Sequence, residues 1–287
     1  MPVEIRPIAA ADLPRVARFL HEHFPHEPRL STRAWERGLR SPWPGEPPNW
    51  GFMAADGDAV VGAYIAHYSE QEIDGRTERF CNLGVWHVLP EHRMASLGMA
   101  RAMLDQPGYL FTDLTPAPNV VALNRRLGFR ELDTSGVVVP CLPWPSLPRG
   151  ARVFSSPRLP VELLDDRDRK LYRDHRDVPG LRHVAIVEGG ECCYVVLRPE
   201  RLRGLPAVSL LHVSRPRAFR RQARRFARHL LLRHRVLVYV AEERVAWFRP
   251  WPSAPLRSPP TRMFRGEGLR PEDVSYLYSE LVCGLEG

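Results

Sequence analysis

The chain is expected to be an α/β protein: a mixed, mostly antiparallel central sheet flanked by helices, followed by a second, smaller α/β domain. Three observations predict this. Strand-like and helix-like segments alternate along the chain, two apolar runs are joined by an Asp-Gly turn, and a Pro-rich break falls near the middle of the 287 residues. That length suits two domains of about 100–150 residues each.

The first elements follow from spacing. Val3 to Ile8 alternates apolar and polar residues, as a strand does. Leu13, Val16, Phe19, Leu20 and Phe24 then recur at helical spacing, with Asp12 as N-cap, Pro14 in the first turn, and Pro25 and Pro28 ending the helix. A short helix carrying Trp35 and Leu39 follows Ser31. GFMAA, the turn DGD and AVVGAYIAHYS make a hairpin, and RFCNLGVWHV adds a third strand. SLGMARAML is a helix, YLFTDL a strand, NVVALNRRLGF a helix ending at Gly128, and SGVVVPCL the strand that closes this set.

PCLPWPSLPRG holds too many structure breakers for a helix or central strand, so the domain linker is placed there. The expected division is 1–140, a linker over 141–159, and a second domain over 160–287. The second half reads as a helix from Pro160 to His175, then strands at Arg182–Glu188, Cys192–Arg198 and Ala207–Val213. A long Arg-rich helix from Pro216 to His234, a strand at Val236–Ala241 and a last short helix, PEDVSYLYSELV, complete it. The order of elements echoes the first half without a residue-level repeat.

Composition bounds the partners. No apolar run approaches the ~20 residues of a membrane helix, and the start of the chain has no secretory pattern. A cytoplasmic protein with no membrane partner is expected. The net charge of +8 is almost all arginine, Lys170 being the sole lysine, which reads as codon bias more than nucleic-acid design. The five cysteines have no zinc spacing, so reduced buried thiols and no metal are expected.

The chemistry-bearing segment is VLPEHRMASLGMARAML. A strand ends at Val88, Pro90 breaks the ladder, and a loop from Arg93 enters a helix near Ser96, with Ala95, Ser96 and Gly98 small enough for an anion to approach the free amides. Here the chain resembles the GNAT superfamily of CoA-dependent acyltransferases. Their signature V-x-P-x-x-R/Q-x-x-G-x-G/A is matched in register by Val88, Pro90, Arg93, Ser96 and Gly98. The family's L-G-F ending of a later helix is matched by Leu127, Gly128 and Phe129, and the element order over 3–141 agrees with its seven-stranded mixed sheet.

The resemblance implies acetyl-CoA or another acyl-CoA as co-substrate. Val88 would lend backbone hydrogen bonds to the pantetheine and the developing oxyanion. Arg93, Met94, Ala95, Ser96, Leu97, Gly98 and Met99 would cradle the pyrophosphate, with Asn119 on the next helix completing the cofactor set. Two family positions are changed. The glutamate found on the strand before the loop is Asn82 here, and the tyrosine that protonates the departing thiolate is Asn124. The candidate catalytic positions are therefore Asn82, Asn124 and His87, whose imidazole suits proton transfer near neutrality. His67, Glu70 and Glu78 are alternative bases, and Cys81 an alternative nucleophile. Asn49, Trp50, Tyr64, Tyr68, Asn82 and Trp86 are expected to line an acceptor pocket or to pack the sheet.

The expected function is acyl transfer to an amine or hydroxyl of a small molecule or sugar, by direct attack in a ternary complex. A non-catalytic GNAT-like scaffold and a nucleic-acid-associated acyltransferase are the alternatives. The second half, with no glycine in HVSRPRA, is expected to be a degenerate GNAT-like domain that shapes the acceptor site or an interface, and a homodimer is compatible with it.

Overall fold

A computed structural model describes residues 3–24, 30–145 and 150–283. In chain order these form β1 (Glu4–Pro7), α1 (Leu13–His23), α2 (Thr32–Gly38), β2 (Gly51–Asp56), β3 (Ala59–Ile73), β4 (Arg76–Val88), α3 (Ala95–Leu104), β5 (Leu110–Asp113), α4 (Pro118–Arg126) and β6 (Arg130–Glu131). Next come β7 (Gly136–Pro140), β8 (Arg152–Ser155), α5 (Asp166–His175), β9 (Arg182–Glu188), β10 (Glu191–Leu202), β11 (Leu205–Val213), α6 (Pro216–His234), β12 (Val238–Glu242), α7 (Glu243–Ala246), β13 (Ala254–Pro255) and β14 (Met263–Arg265).

The fold class is the expected one. The strands form two seven-stranded sheets, ordered β1-β2-β3-β4-β5-β14-β6 and β13-β7-β12-β11-β10-β9-β8. Each is antiparallel except for one parallel pair, β4 with β5 and β11 with β12. Such pairs need a crossover, and α3 and α6 supply it. Among the described residues, no helix is long and apolar enough to cross a membrane.

The first sheet is covered on both faces. Leu13, Val16, Phe19 and Leu20 of α1 recur every three or four residues, so one stripe packs on Trp35, Met53, Ala63 and Ile65. Tyr64 and Ala66 point the other way along β3 and join Cys81, Phe111, Met99 and Met103 under α3. Ser31 accepts from the Ala34 amide at 3.2 Å and caps α2, whereas Asp12, expected to cap α1, turns its carboxylate to Arg6 and the Ala9 amide. The helix expected from Pro160 begins only at Asp166, where Asp165 caps it through the Asp168 amide at 2.8 Å. Pro25 and Pro28, read as helix stops, lie outside the described residues; α1 ends at His23.

The division of the chain differs from the expected one. One compact unit joins 1–132 to 261–287, and the other is 133–260. Gly136–Pro140 does not close the first sheet. It pairs with β12 and β13 in the second, and its apolar Val-Val-Val run specifies burial without specifying a partner. The corresponding slot of the first sheet, between β5 and β6, is filled by β14 from the far end of the chain. The presumed linker lies inside the second unit. Its residues 152–155 form β8, paired with β9, and residues 146–149 fall outside the described residues.

The last predicted helix is also absent. Only Pro271–Asp273 makes a 3-10 turn. From Val274 to Cys283 the chain is irregular, with Val274, Tyr276, Leu277, Leu281, Val282 and Cys283 all buried. A segment buried on several sides cannot be read from one-sided periodicity.

Phe264 tests this assignment. It sits in β14, fully buried, with the Arg130 guanidinium 4.5 Å over its ring. Phe264→Ala is expected to destabilise the first unit by about 3–5 kcal/mol, read as a lowered urea midpoint for that unit's unfolding. An unchanged midpoint would detach β14 from this sheet.

Candidate active site

The centre of the first unit is set by how briefly β4 and β5 pair. Their register runs Phe80↔Leu110, Cys81↔Phe111, Asn82↔Thr112 and then stops. β4 continues to Val88 while β5 ends at Asp113, so the β5-facing edge of β4 beyond Leu83 has no strand partner. A bulge opposite Ile65 bends β4 here, because Tyr64 pairs with Trp86 but Ala66 with Leu83. Exposed edge amides and carbonyls of this kind can pair with an extended ligand.

The loop after Val88 supplies donors. The Ser96 amide is engaged by the Arg93 carbonyl at 3.1 Å, and Arg93 itself bonds back to Pro90. Among the described residues, the amides of Met94, Ala95 and Leu97 have no acceptor, and no side chain caps the helix. Met94 and Leu97 are apolar yet 85% and 58% exposed, flanking these amides. At Gly98 a Cβ would fall 2.5 Å from Ile5 Cδ1, so its smallness also makes room for β1. Met99 is fully buried beneath Gly62 and acts as core. Asn119 is exposed in the first turn of α4.

Next to the opening lies a buried polar cluster. Asn82 donates to Thr112 Oγ1 at 2.9 Å and accepts from the Glu280 amide at 2.8 Å. Asn124 donates to Asp113 Oδ2 at 2.7 Å. Glu280 Oε1 accepts from the Leu114 amide and the Thr115 hydroxyl, while its Oε2 is buried without a partner. Burial and the neighbouring Glu280 push the Asp113 carboxyl up to about 7, and burial raises Glu280 as well. Like charges this close disfavour a second ionisation. Tyr64 is held well above its ordinary value by burial, Asp113, Cys81 and Glu280, so it keeps its proton. Its ring stacks on Trp86 at 4.4 Å, and the Trp86 indole N–H is buried without an acceptor.

Of the residues singled out from sequence, Asn82 and Asn124 meet in this cluster and His87 does not. His87 is half-buried between the rings of Phe19 and Phe24 on the opposite sheet face, where burial and His23 lower its pKa. His67 is buried, pushed down to about 4 by desolvation, and sits 3.4 Å from Cys283 Sγ. Burial likewise keeps the Cys81 thiol protonated. Glu70 and Glu78 lie toward the hairpin end, paired in register with Arg79 and Gln71. Asn49 and Tyr68 bond each other at 2.7 Å, and Trp50 packs with the α1 core, so only Tyr64 and Trp86 of the expected aromatic lining border the opening. Asp113 and Glu280 gave no sequence signal beyond being acidic residues in apolar runs. Among the described residues, no group of His, Cys, Asp or Glu is placed to hold a metal ion.

A diverging parallel strand pair with unpaired amides at the following helix is the arrangement of the GCN5-related N-acetyltransferase fold, and solved structures of that fold match the chain. A GCN5-related N-acetyltransferase from Anabaena variabilis aligns with a TM-score of 0.62 at 14% identity, over 92% of this chain and 72% of the other. One from Kribbella flavida aligns at 0.55 and 15% identity, over 92% and 70%. Saccharomyces cerevisiae N-myristoyltransferase with bound myristoyl-CoA aligns at 0.51 and 10% identity, over 97% and 83%. No protein-family model and no curated protein matches the sequence.

The raised Asp113 carboxyl gives a signed expectation. Unfolded, it titrates near its ordinary 3.8; folded, near about 7, so the folded chain holds the extra proton between those values. Stability is therefore lost as pH rises through that window. Asp113→Asn, which keeps an acceptor for Asn124, should gain about 2–3 kcal/mol relative to the parent between pH 5 and pH 8. Urea unfolding at both pH values measures this; a difference independent of pH would place the proton elsewhere.

Proposed function

We propose that the protein transfers an acyl group from acyl-CoA to an amine, or less often a hydroxyl, of a small molecule or sugar by direct attack in a ternary complex. The observation that carries this reading is the opening between β4 and β5, continuous in sequence with the free amides of Met94, Ala95 and Leu97. Those donors suit a pyrophosphate. The unpaired edge of β4 suits the amide-bearing pantetheine arm, and the orphan Trp86 N–H marks a buried donor in want of an acceptor. Bound there, acyl-CoA supplies the activated thioester.

The chain's own groups then have distinct tasks. Backbone donors near Val88 stabilise charge on the thioester carbonyl oxygen. Asp113, whose carboxyl burial and the neighbouring Glu280 push up to about 7, accepts the proton released as the acceptor nitrogen bonds to the acyl carbon. Tyr64, protonated and without a hydrogen-bond partner among the described residues, is the available donor to the departing sulfur, a task Asn124 cannot perform. Asn82 and Asn124 are positioning residues, since both amides are spent holding β5, Asp113 and the tail. This shifts proton transfer from His87 to Asp113.

A scaffold without turnover is the competing reading, favoured by the amides standing at both family catalytic positions. Two variants separate the cases. Ser96→Asp puts a carboxylate in the first turn of α3, where it suits the helix dipole but repels a pyrophosphate. Acetyl-CoA binding by calorimetry should weaken at least tenfold, about 1.4 kcal/mol, with the melting temperature unchanged or raised; undiminished heat would remove the cradle from this loop. Asp113→Asn should lower kcat against an amine panel by roughly 10²–10⁴ while acetyl-CoA affinity persists. Parent protein that binds acetyl-CoA yet turns over no amine or hydroxyl would leave the scaffold.

A further inference from the structure

One end of the second sheet carries exposed leucines side by side. β7, β12 and β11 are neighbours, and their ends here are tied together by backbone hydrogen bonds. The Cys141 amide donates to the Leu237 carbonyl at 2.8 Å, and the Leu237 amide to the Pro206 carbonyl at 3.0 Å. Leu142, Leu237 and Leu205 therefore stand at or just beyond the ends of three adjacent strands, about 5 Å from strand to strand. Each is between 37% and 46% exposed. Single exposed leucines are ordinary, whereas several together make an apolar patch that marks a contact surface. Two residues past Leu142, the Trp144 ring lies 4.7 Å from the Arg224 guanidinium. Trp251 approaches the same guanidinium at 5.6 Å and is itself 72% exposed.

The same end is basic. Arg201 and Arg203 lie at the hairpin between β10 and β11, and Arg235 lies two residues before Leu237. All three are exposed and have no ion-pair partner among the described residues. Residues 141–145, 201–206 and 235–238 include no acid. Glu200, next to them in sequence, is occupied by Ser209 at 2.6 Å and Arg198 at 3.8 Å. Arg235 has a local reason, since it closes α6 and cations suit a helix C-terminus. Arg203 has none. It and Gly204 form a two-residue loop with φ of 51° and 82°, a pairing that favours Asn, Asp or Gly at the first position. The other such loops, Asp74-Gly75 and Gly189-Gly190, obey that preference. A local rule broken without structural gain marks a functional position.

Arginines without acids call for an anionic partner, and the leucines narrow its class. A nucleic acid offers phosphates and base faces, against which exposed leucines gain little. A bilayer with anionic lipids offers phosphates above acyl chains, and indoles are favoured at the level between them. We infer that this end of the second unit docks on an anionic lipid surface, with Leu142, Leu205 and Leu237 at the acyl boundary and Arg201, Arg203 and Arg235 at the headgroups. The expected absence of a membrane partner followed from the lack of a spanning segment, and lying on a surface requires none. The inference is independent of the reading of the first unit.

The full chain is mixed with vesicles of phosphatidylcholine alone, or with about one third phosphatidylserine, and sedimentation and tryptophan emission are followed. Binding at least tenfold tighter to the phosphatidylserine vesicles is expected, with a blue shift and a fall at high salt. Arg201→Gln/Arg203→Asn should weaken it at least tenfold while the melting temperature holds or rises, because asparagine suits that turn. Leu205→Thr/Leu237→Thr should weaken it likewise. Arg217→Gln/Arg220→Gln removes the same charge from the start of α6 and should leave binding within about threefold. No sedimentation with phosphatidylserine vesicles, equal loss from both arginine pairs, or indifference to the leucine pair would overturn the assignment. So would a single-stranded oligonucleotide bound through Arg201 and Arg203 in place of vesicles.

Discussion

Where two parallel strands stop pairing is decided in the first unit by one buried amide. Asn82 stands at the last paired position of β4, and its side chain reaches β5 with the nitrogen and the tail with the oxygen. An unsatisfied buried amide costs about 1–3 kcal/mol, so β5 and residue 280 are held to one geometry with respect to β4. Up to that point the sheet is closed. Beyond it, the edge of β4 is free, Asp113 ends β5 beside Asn124, and Glu280 is carried against them. The opening and the acid pair thus share one anchor.

The two units handle charge in opposite ways. The first buries carboxylates in apolar surroundings, where a proton is retained near neutrality because ionisation is costly. The second leaves the guanidinium groups of Arg217 and Arg220 at the water boundary, where repulsion between them is screened. Buried acids suit moving a proton, and exposed cations suit holding an anion. Two seven-stranded sheets, each with one parallel pair, therefore do not imply one task used twice.

Much of the architecture was legible because it rests on local rules. The stripe of α1, the Asp-Gly turn between β2 and β3, the Ser31 cap and the break after Val88 each depend on residues close in sequence. What was hidden depends on partners chosen at long range. Val137 to Val139 announce a buried strand, but only the fold tells which sheet takes it. Tyr276, Leu277, Tyr278 and Ser279 are buried at successive positions that no single helix face collects, so the tail masqueraded as an amphipathic segment. Asp113 and Glu280 lie far apart in the chain and are unremarkable until the tail returns between them. Gly98 and Met99 fall in the motif register and also pack, on Ile5 and beneath Gly62, a second constraint that the sequence alone does not display.

The exchange of β7 and β14 has a consequence for how the chain comes off the ribosome. After residue 131 has emerged, every strand of the first sheet exists except β14, and β5 and β6 lack the ribbon that joins them. The whole of 133–260 is translated before that ribbon appears. At about 5–20 residues per second, the nascent first unit waits on the order of ten seconds with an apolar seam open to its neighbours. A stalled or truncated transcript would therefore release a chain whose later half can close and whose earlier half cannot.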